Sequence, residues 1–397
     1  MELVAPAGNI DKLKFAYLYG ADAAYIGIKN FSLRQRADNF RETEYEKIKE
    51  IKGDKKLFGA FNIYFYNNDL RRLEEEAGYI SRYPFDAFII SDLGVLPVMK
   101  KYFPNTPLHL STQANCTNAE AAKMYRDLGF SRIILGREVG LSEIEEIKKA
   151  SGVAIEVFVH GAMCMSYSGR CYLSAYMAGR SGNRGDCAHP CRWNFRVLEE
   201  EERPGEYFPI EEDDHFTSIM SSKDLCMIDH LDKLRDAGVD ACKIEGRMKS
   251  VYYVAVTCRA YRKAIDNAMG KTVADIQPYI DELYNVSHRE FWTGFFFDKE
   301  EIAKPTLASY TRGYLFLGTV LREIKPGLFL LDVKNSFAEG QTIEYTGFDI
   351  LSIEDESFAL YEENEEPTER ADHHKPCLLK TNKLLKPGYI LRRRMQE

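Results

Sequence analysis

The stretch Ile155-Glu156-Val157-Phe158-Val159-His160 is a short, mostly apolar run that ends on a polar residue, and similar runs recur along residues 2–270. Between them lie longer stretches in which apolar residues repeat with helical period. This alternation predicts βα units and a parallel sheet, because a buried strand is apolar throughout whereas a covering helix has one apolar face. We predict eight strands, at residues 2–5, 23–28, 57–64, 87–91, 108–111, 132–135, 155–160 and 241–245.

Eight such units predict a TIM-type (β/α)8 barrel. A doubly wound sheet would fit the same alternation, but the turn Pro6-Ala7-Gly8 after the first strand carries no glycine-rich phosphate fingerprint. The barrel is therefore preferred. Its helices are predicted near residues 10–19, 42–52, 69–82, 93–101, 118–128, 141–150 and 250–268.

The chain is predicted to have two domains, the barrel at residues 1–300 and a small all-β, barrel-like domain at residues 301–397. The final Arg392-Arg393-Arg394 is either a phosphate-contacting patch or an ordinary charged tail, and the tail is the favoured interpretation. The second domain is predicted from short β-type runs that turns separate, at residues 314–321, 328–333 and 341–345.

The 397 residues include 53 Lys and Arg against 61 Asp and Glu, which gives a formal net charge of −8. This balance argues against binding nucleic acid by bulk electrostatics alone, although a local basic patch would suffice. No window approaches 18 uninterrupted apolar residues, and the first residues lack the basic and apolar regions of a signal peptide. We therefore expect a cytoplasmic protein without a membrane partner.

Four of the nine cysteines, Cys164, Cys171, Cys187 and Cys191, lie within 28 residues. In a chain without an export signal, reduced thiols or metal ligands are expected rather than a disulfide framework. Their spacings of 7, 16 and 4 residues match neither a zinc ribbon nor a bacterial ferredoxin, but they suit [4Fe–4S] ligands from separate loops at one mouth of a barrel. A structural zinc site and ordinary buried cysteines stay open, since thiolates suit zinc as well as iron.

The run from Glu156 to Ser174 resembles the signature of the collagenase-like peptidase family, the thirty-second family of unassigned catalytic type. The opening Glu2-Leu-Val-Ala-Pro6-Ala7-Gly8 resembles the same family, as does Lys243-Ile-Glu245-Gly246-Arg247. Within the family, the runs Cys-Ala-His-Pro-Cys-Arg-Trp and Phe-Ser-Leu-Arg-Gln-Arg are most similar to the bacterial branch that hydroxylates tRNA. The resemblance covers residues 1–300 strongly and the β domain more weakly.

The resemblance implies an iron–sulfur enzyme that takes part in converting the wobble uridine of tRNA to 5-hydroxyuridine. Prephenate as co-substrate and a protein partner of the same family are implied with it. Cys164, Cys171 and Cys187 match cluster ligands in every branch, whereas the fourth ligand resembles Cys191 in some branches and Cys226 in others. We favour Cys191 because its three-residue spacer is common in clusters and needs no remote loop. The cluster segment is expected at about residues 161–228.

Polar residues at the carboxyl ends of barrel strands are the other candidates, because barrel enzymes keep their chemistry on that rim. Arginines there would bind RNA phosphates or the two carboxylates of prephenate. A histidine there would be able to transfer a proton, although a single histidine at a strand end is more often structural. We predict catalytic roles for His160, Glu156, Lys243 and Glu245, and substrate binding by Arg34, Arg36, Gln113, Asn115, Arg137 and Arg247.

Two other functions stay open at this point. A collagenase-like protease would need an activated nucleophile or a metal-bound water, and the sequence contains neither His-Glu-x-x-His nor Gly-x-Ser-x-Gly. A non-catalytic scaffold of an RNA-modification complex would carry a purely structural cluster. The hydroxylase is the leading interpretation, because the cysteines form a ligand-like group rather than one thiol beside a histidine.

Overall fold

The structure is a computed structural model. It describes residues 1–33, 40, 44–164, 166–193, 211–212, 217–218, 223–271, 275–297 and 310–395. Two predictions fall outside these residues: the domain boundary near residue 300, and substrate binding by Arg34 and Arg36.

Eight parallel strands close into a barrel, which confirms the predicted fold. Each barrel strand pairs with the next barrel strand along the chain, and the eighth closes the barrel by lying between the seventh and the first. The first seven are β1 (Glu2–Ala7), β2 (Ala23–Gly27), β3 (Lys56–Phe61), β4 (Ala87–Ile90), β5 (Leu108–Leu110), β6 (Phe130–Ile134) and β7 (Ala154–Ala162). They are followed by the short strands β8 (Glu211–Glu212), β9 (Thr217–Ser218) and β10 (Asp224–Cys226), and then by β11 (Ala241–Ile244).

Helices cover the outside of the barrel. Several begin at a side chain that accepts a backbone N–H, such as Asn9, Asn118 and Ser250, as expected for N-cap residues. The seven predicted helices are found. The structure adds three short helices of five or six residues that were not predicted. The helices are α1 (Ile10–Leu18), α2 (Tyr45–Lys52), α3 (Asn67–Ile80), α4 (Leu96–Tyr102), α5 (Ala119–Asp127), α6 (Leu141–Ser151), α7 (Leu173–Ala178), α8 (Leu231–Asp236), α9 (Val251–Ala268) and α10 (Gln277–Asp281).

The amino end of the barrel, where its strands begin, is held by three aspartates. Each stands directly before one strand and accepts the backbone N–H of the neighbouring strand, and each also pairs with a lysine or arginine. Buried backbone donors need such acceptors where a ladder starts. The pairs are Asp22 with Leu3, Asp86 with Leu57, and Asp240 with Ile155, at 2.8, 2.7 and 2.7 Å.

The C-terminal domain is an eight-stranded antiparallel sheet, curled around its own apolar core. The predicted β runs are confirmed within β13, β14 and β16. The strands from residue 291 onward are β12 (Phe291–Trp292), which pairs with β10, then β13 (Tyr314–Lys325), β14 (Leu328–Val333), β15 (Phe337–Ala338), β16 (Ile343–Thr346), β17 (Ile353–Asp355), β18 (Ala359–Tyr361), β19 (Pro367–Thr368), β20 (Arg370–Ala371), β21 (Pro376–Lys380) and β22 (Ile390–Arg394).

Arg392 joins the two domains. Its buried guanidinium donates to Glu344 at 2.7 Å, to Glu282 at 2.9 Å and to the hydroxyl of Tyr252 at 3.0 Å. Because this guanidinium is buried and fully occupied within β22, both the phosphate-patch interpretation and the favoured charged-tail interpretation are wrong for Arg392. In the described part of the chain, no helix has both the length and the apolar character that crossing a membrane requires.

Candidate active site at the carboxyl end of the barrel

The cysteine segment, residues 164–193, lies over the carboxyl end of the barrel, where the strands finish. The backbone N–H of Ser168 donates to Glu138 Oε1 at 2.6 Å, and its hydroxyl lies 2.6 Å from Asn115 Oδ1. Ser168 and Asn115 both have positive φ, at 46° and 59°. Backbone of this kind is costly for residues other than glycine, so the surrounding contacts must hold it in place.

A second set of contacts fixes the segment to the loop after β3. Arg184 donates to both oxygens of Asp69, at 2.7 and 3.0 Å, in the bidentate geometry that guanidinium favours. In the loop after β3, the backbone N–H of Tyr64 donates to the carbonyl of Asn183 at 3.2 Å. The segment thus rests on loops after β3, β5 and β6, at the end of the barrel where chemistry is expected.

Gln113 connects the segment to the barrel through its backbone and its side chain. Its carbonyl accepts a hydrogen bond from Arg170 Nε at 3.0 Å. Gly169 has a φ of 76°, and a Cβ there would lie 2.8 Å from Gln113 Nε2, so a side chain at this position would disturb both residues. The buried Gln113 Oε1 has no hydrogen-bond partner among the described groups. A buried acceptor without a partner is one that a substrate N–H would satisfy.

The five candidate ligand cysteines, Cys226 included, are all at least partly exposed, whereas Cys116, Cys242, Cys258 and Cys377 are buried. Two backbone N–H groups point at the sulfur atoms, from Ser166 to Cys164 at 3.5 Å and from His189 to Cys187 at 3.4 Å. Cluster thiolates accept hydrogen bonds of this type. The donor set therefore fits an iron–sulfur cluster chemically. No three Cys, His, Asp or Glu side chains within the described ranges are gathered closely enough to hold a metal ion.

Cys226 has different surroundings. It lies on β10, opposite His160 of β7, and its Sγ lies 3.7 Å from the hydroxyl of Tyr261 on α9. Burial raises the pKa of the Cys226 thiol to about 11. Cys226 is half-buried, like Cys171, Cys187 and Cys191, and what distinguishes it is its place on β10 beside α9, outside residues 164–193.

Glu156 and Lys243 meet inside the barrel. Glu156 Oε1 accepts from Lys243 Nζ at 2.7 Å and Oε2 accepts from Arg132 at 2.9 Å, and Arg132 also reaches Glu2 at the amino end, at 2.6 Å. Burial alone would raise the pKa of Glu156, but the charges of Lys243 and Arg132 lower it to about 2. Two of the four predicted catalytic residues, Glu156 and Lys243, thus form a buried ion pair below the mouth.

Tyr25 links this ion pair to the rim. The Lys243 ammonium lies 4.3 Å from the centre of the Tyr25 ring, and the Tyr25 hydroxyl donates to Glu245 Oε2 at 3.1 Å. Glu245 is half-buried at the carboxyl end of β11. Of the four residues with predicted catalytic roles, Glu245 is the one placed on the rim, where a substrate would touch it.

His160 lies between β7 and the outer helix α9, away from the mouth. Its ring packs against Tyr253, Tyr261 and Phe291, with centroids 5.3–5.9 Å apart. Burial lowers the pKa of His160 to about 3. The catalytic role of His160 stays a prediction, and its position suits a structural one.

Two of the predicted substrate-binding residues, Arg137 and Arg247, differ in position: the first lies at the mouth and the second is buried. Arg137 lies over the Phe158 ring, 4.1 Å from its centre, and donates to the carbonyl of Ala162 at 3.0 Å, so its guanidinium is at the mouth. The buried Arg247 donates to Ser32 Oγ at 2.7 Å and to the carbonyl of Leu33. It therefore supports the loop after β2.

Sequence reasoning missed a group of exposed tyrosines at this end of the barrel. Tyr66, Tyr167, Tyr172 and Tyr176 are all more than 60% exposed. The available signal was the density of aromatic residues and arginines in the cysteine segment, which contains Tyr167, Tyr172, Tyr176 and Trp193.

Both domains match models of known families. The model of Peptidase family U32 matches residues 8–305, and the model of the Peptidase family U32 C-terminal domain matches residues 312–392.

Three curated relatives are similar to this chain. The tRNA hydroxylation protein P1 of Bacillus subtilis (strain 168) is 33% identical over 400 residues, covering 99% of this chain and 94% of that protein. The tRNA hydroxylation protein P of Escherichia coli (strain K12) is 36% identical over 390 residues, covering 86% of this chain and 85% of that protein. A collagenase of Porphyromonas gingivalis (strain ATCC BAA-308 / W83) is 34% identical over 311 residues, covering 74% and 73%. From the matches to both domains, we conclude that the chain belongs to peptidase family U32.

Proposed function

We propose that this chain is an enzyme of tRNA modification that takes part in hydroxylating the wobble uridine to 5-hydroxyuridine. The observation that carries the proposal is the similarity to two proteins named for tRNA hydroxylation, one of which spans 99% of this chain. The site geometry is compatible with it, because a polar mouth lies beneath a segment rich in cysteine, arginine and tyrosine.

Cys164, Cys171, Cys187 and Cys191 are the proposed ligands of a [4Fe–4S] cluster, which supplies one-electron chemistry when bound. Support comes from their common segment, their partial exposure and the two N–H groups directed at sulfur. Cys191 is preferred over Cys226, which lies on β10 outside the common segment, with its Sγ 3.7 Å from the Tyr261 hydroxyl. Because the side chains are not gathered into a closed site, loading would draw the loops of the segment together.

The chain's own residues bind and orient the substrates in this proposal. Arg137 presents a guanidinium that suits a carboxylate of prephenate or an RNA phosphate. Gln113 Oε1 is an acceptor suited to an N–H of the base, and Asn115 positions the cysteine segment through Ser168. Arg247 acts as a positioning residue for the loop after β2. A protein partner of the same family remains part of the proposal.

The test is to express the chain in a bacterial strain that lacks tRNA hydroxylation and to quantify 5-hydroxyuridine in digested tRNA by mass spectrometry. We expect the wild-type chain to restore the nucleoside. Cys171→Ser should abolish it and remove iron and sulfide from anaerobically purified protein. The matched control is Cys377→Ser, at a buried cysteine of the C-terminal domain, which should keep both.

An iron-loaded, folded protein that restores no 5-hydroxyuridine would contradict the proposal. The protease alternative has the collagenase relative in its favour. However, His160 is closed off behind β7 and is not positioned to activate a nucleophile at the mouth. A structural scaffold would be indicated if loss of iron left the nucleoside yield unchanged.

A further inference from the structure

The most exposed aromatic side chains of the described residues are gathered at one end of the barrel. Tyr66, Tyr167, Tyr172 and Tyr176 are 67%, 62%, 75% and 79% exposed, and no other described aromatic side chain exceeds 54%. Aromatic rings are normally among the most buried groups, because their burial contributes strongly to stability. Four exposed rings beside a substrate mouth therefore indicate a binding surface.

The backbone beneath these rings is fixed. Tyr172 and Tyr176 stand four residues apart at the start of α7, where the N–H of Tyr176 donates to the carbonyl of Tyr172 at 2.9 Å. Residues at this spacing lie on one face of a helix. Tyr167 precedes Ser168, which is held by Glu138 and Asn115. The backbone that carries these rings is thus set in advance, which reduces the entropy lost when a ligand binds.

Tyr66 follows β3 and contacts the cysteine segment through Arg184. The guanidinium of Arg184 lies 4.8 Å from the centre of its ring, and Arg184 is itself held by Asp69. This contact joins the loop after β3 to the cysteine segment.

The local charge is opposite to that of the whole chain. The cysteine segment contains four arginines and a single acidic residue, Asp186, in a chain of net charge −8. Arg170 is exposed although its Nε donates to the carbonyl of Gln113. Exposed rings interleaved with cations match a ligand that carries both flat apolar faces and phosphates.

We propose that Tyr66, Tyr167, Tyr172 and Tyr176 form a stacking platform for the unpaired bases of an RNA loop. This inference rests on the proposed function. An enzyme that acts on a base must take it out of its stack, and the bases next to it then need new stacking partners. In a duplex the base faces are covered by neighbouring pairs, so the platform selects single-stranded nucleotides.

The test measures binding of two fluorescein-labelled RNAs by anisotropy: a hairpin with a seven-nucleotide loop, and a blunt duplex of the same stem. Stacking on an aromatic side chain contributes about tenfold to the affinity for each base. We therefore expect Tyr172→Ala and Tyr176→Ala each to raise the hairpin Kd about tenfold. Tyr172→Phe and Tyr176→Phe keep the ring and should change it less than about twofold.

The matched control is Tyr102→Ala, which removes a 39% exposed ring at the end of α4, at the amino end of the barrel. It should leave the hairpin Kd unchanged, and no variant should alter duplex binding. Thermal unfolding midpoints should also stay unchanged, because exposed rings contribute little to the core.

The outcomes separate this inference from the proposed function. Unchanged hairpin affinity in both alanine variants would overturn the platform while leaving the tRNA proposal intact. Equal losses for hairpin and duplex would overturn it as well, because stacking is not the cause. Full RNA affinity with loss of 5-hydroxyuridine in cells would assign the surface to a protein partner instead. A wild-type chain that binds neither RNA and restores no nucleoside would overturn the proposed function itself.

Discussion

The two ends of the barrel contain similar polar residues but use them differently. At the amino end, Asp22, Asp86 and Asp240 each accept a strand N–H and pair with a cation. At the carboxyl end, the Gln113 amide oxygen has no described partner, and four tyrosines are largely exposed. The comparison indicates that carboxylates at the amino end hold the strands, whereas the carboxyl end adds exposed aromatic rings that the fold itself does not need.

The buried ion pair of Glu156 and Lys243 should stabilise the fold, as the amino-end pairs do. Breaking it is expected to lower the free energy of unfolding more than any other change proposed below. Glu156→Gln keeps the shape of the side chain but leaves Lys243 and Arg132 facing a neutral amide. Breaking a buried pair by removing one partner costs ~3–5 kcal/mol. Urea denaturation should show a loss of this size in the free energy of unfolding.

The double variant Glu156→Gln with Lys243→Met is the control, because it removes both charges and should recover part of the loss. If Glu156→Gln instead left stability unchanged and abolished tRNA modification, the catalytic prediction would hold. The functional end of the barrel would then extend inward as far as Glu156.

His109 tests whether the barrel interior is closed to water. It is buried, and its ring packs edge-on against Phe58 at 4.8 Å. Burial, reinforced by the charge of Arg132, lowers the pKa of His109 from 6.5 to about 3. The unfolded chain therefore binds a proton that the folded chain excludes, and stability contributed by neutral His109 is lost as the pH falls from 6.5 towards 3.

One such group changes the free energy of unfolding by about 1.4 kcal/mol per pH unit, or ~2 kcal/mol between pH 6.5 and 5. Denaturation curves over this range should show that His109→Gln has a shallower pH dependence than the wild-type chain, whatever its absolute stability. Equal slopes would mean that water reaches His109 from the mouth.

The sequence predicted the barrel well, because each strand is a local apolar run and parallel neighbours follow chain order. It could not predict which way rim side chains point. β7 and β11 shift register where Lys243 faces Phe158 and Ile244 faces His160. As a result, Phe158 contacts Lys243 inside the barrel while His160 turns towards α9. Periodicity alone would have placed both side chains on one face.

Contacts over long sequence separations were also invisible to pattern reasoning. Arg184 binds Asp69, and Ser168 binds Asn115 and Glu138, across the centre of the fold. The cysteine pattern located the segment correctly, but only the folded chain shows which loops support it.

Ser168 tests the support of the cysteine segment. Ser168→Ala removes the hydroxyl that lies 2.6 Å from Asn115 Oδ1 and donates to Glu138 Oε2 at 3.1 Å. Losing a hydrogen bond to a charged group costs about 1.5 kcal/mol, or roughly tenfold in the docking equilibrium. Limited proteolysis within residues 164–193 should become about tenfold faster, with tRNA modification reduced and the global unfolding midpoint unchanged.

Ser174→Ala is the matched control, because Ser174 bonds within the segment, to the N–H of Ala188 at 2.8 Å. It should leave docking on the barrel intact. Equal proteolysis rates for the wild-type chain and Ser168→Ala would show that other contacts hold the segment in place.

The smallest effect is expected at the amino end, from Asp240. Its carboxylate accepts the N–H of Ile155 at 2.7 Å and pairs with Lys148 at 2.7 Å, and both charged side chains are partly exposed. Asp240→Asn keeps an acceptor and loses only a solvent-screened pair, so the free energy of unfolding should fall by about 0.5 kcal/mol. Asp240→Ala also leaves the backbone N–H of Ile155 without an acceptor, so it should lower the free energy of unfolding by ~1–2 kcal/mol. Neither variant should change tRNA modification at a temperature where both are folded. A loss of modification without a loss of stability would show that the amino end also serves the reaction, and the division between the two ends would fail.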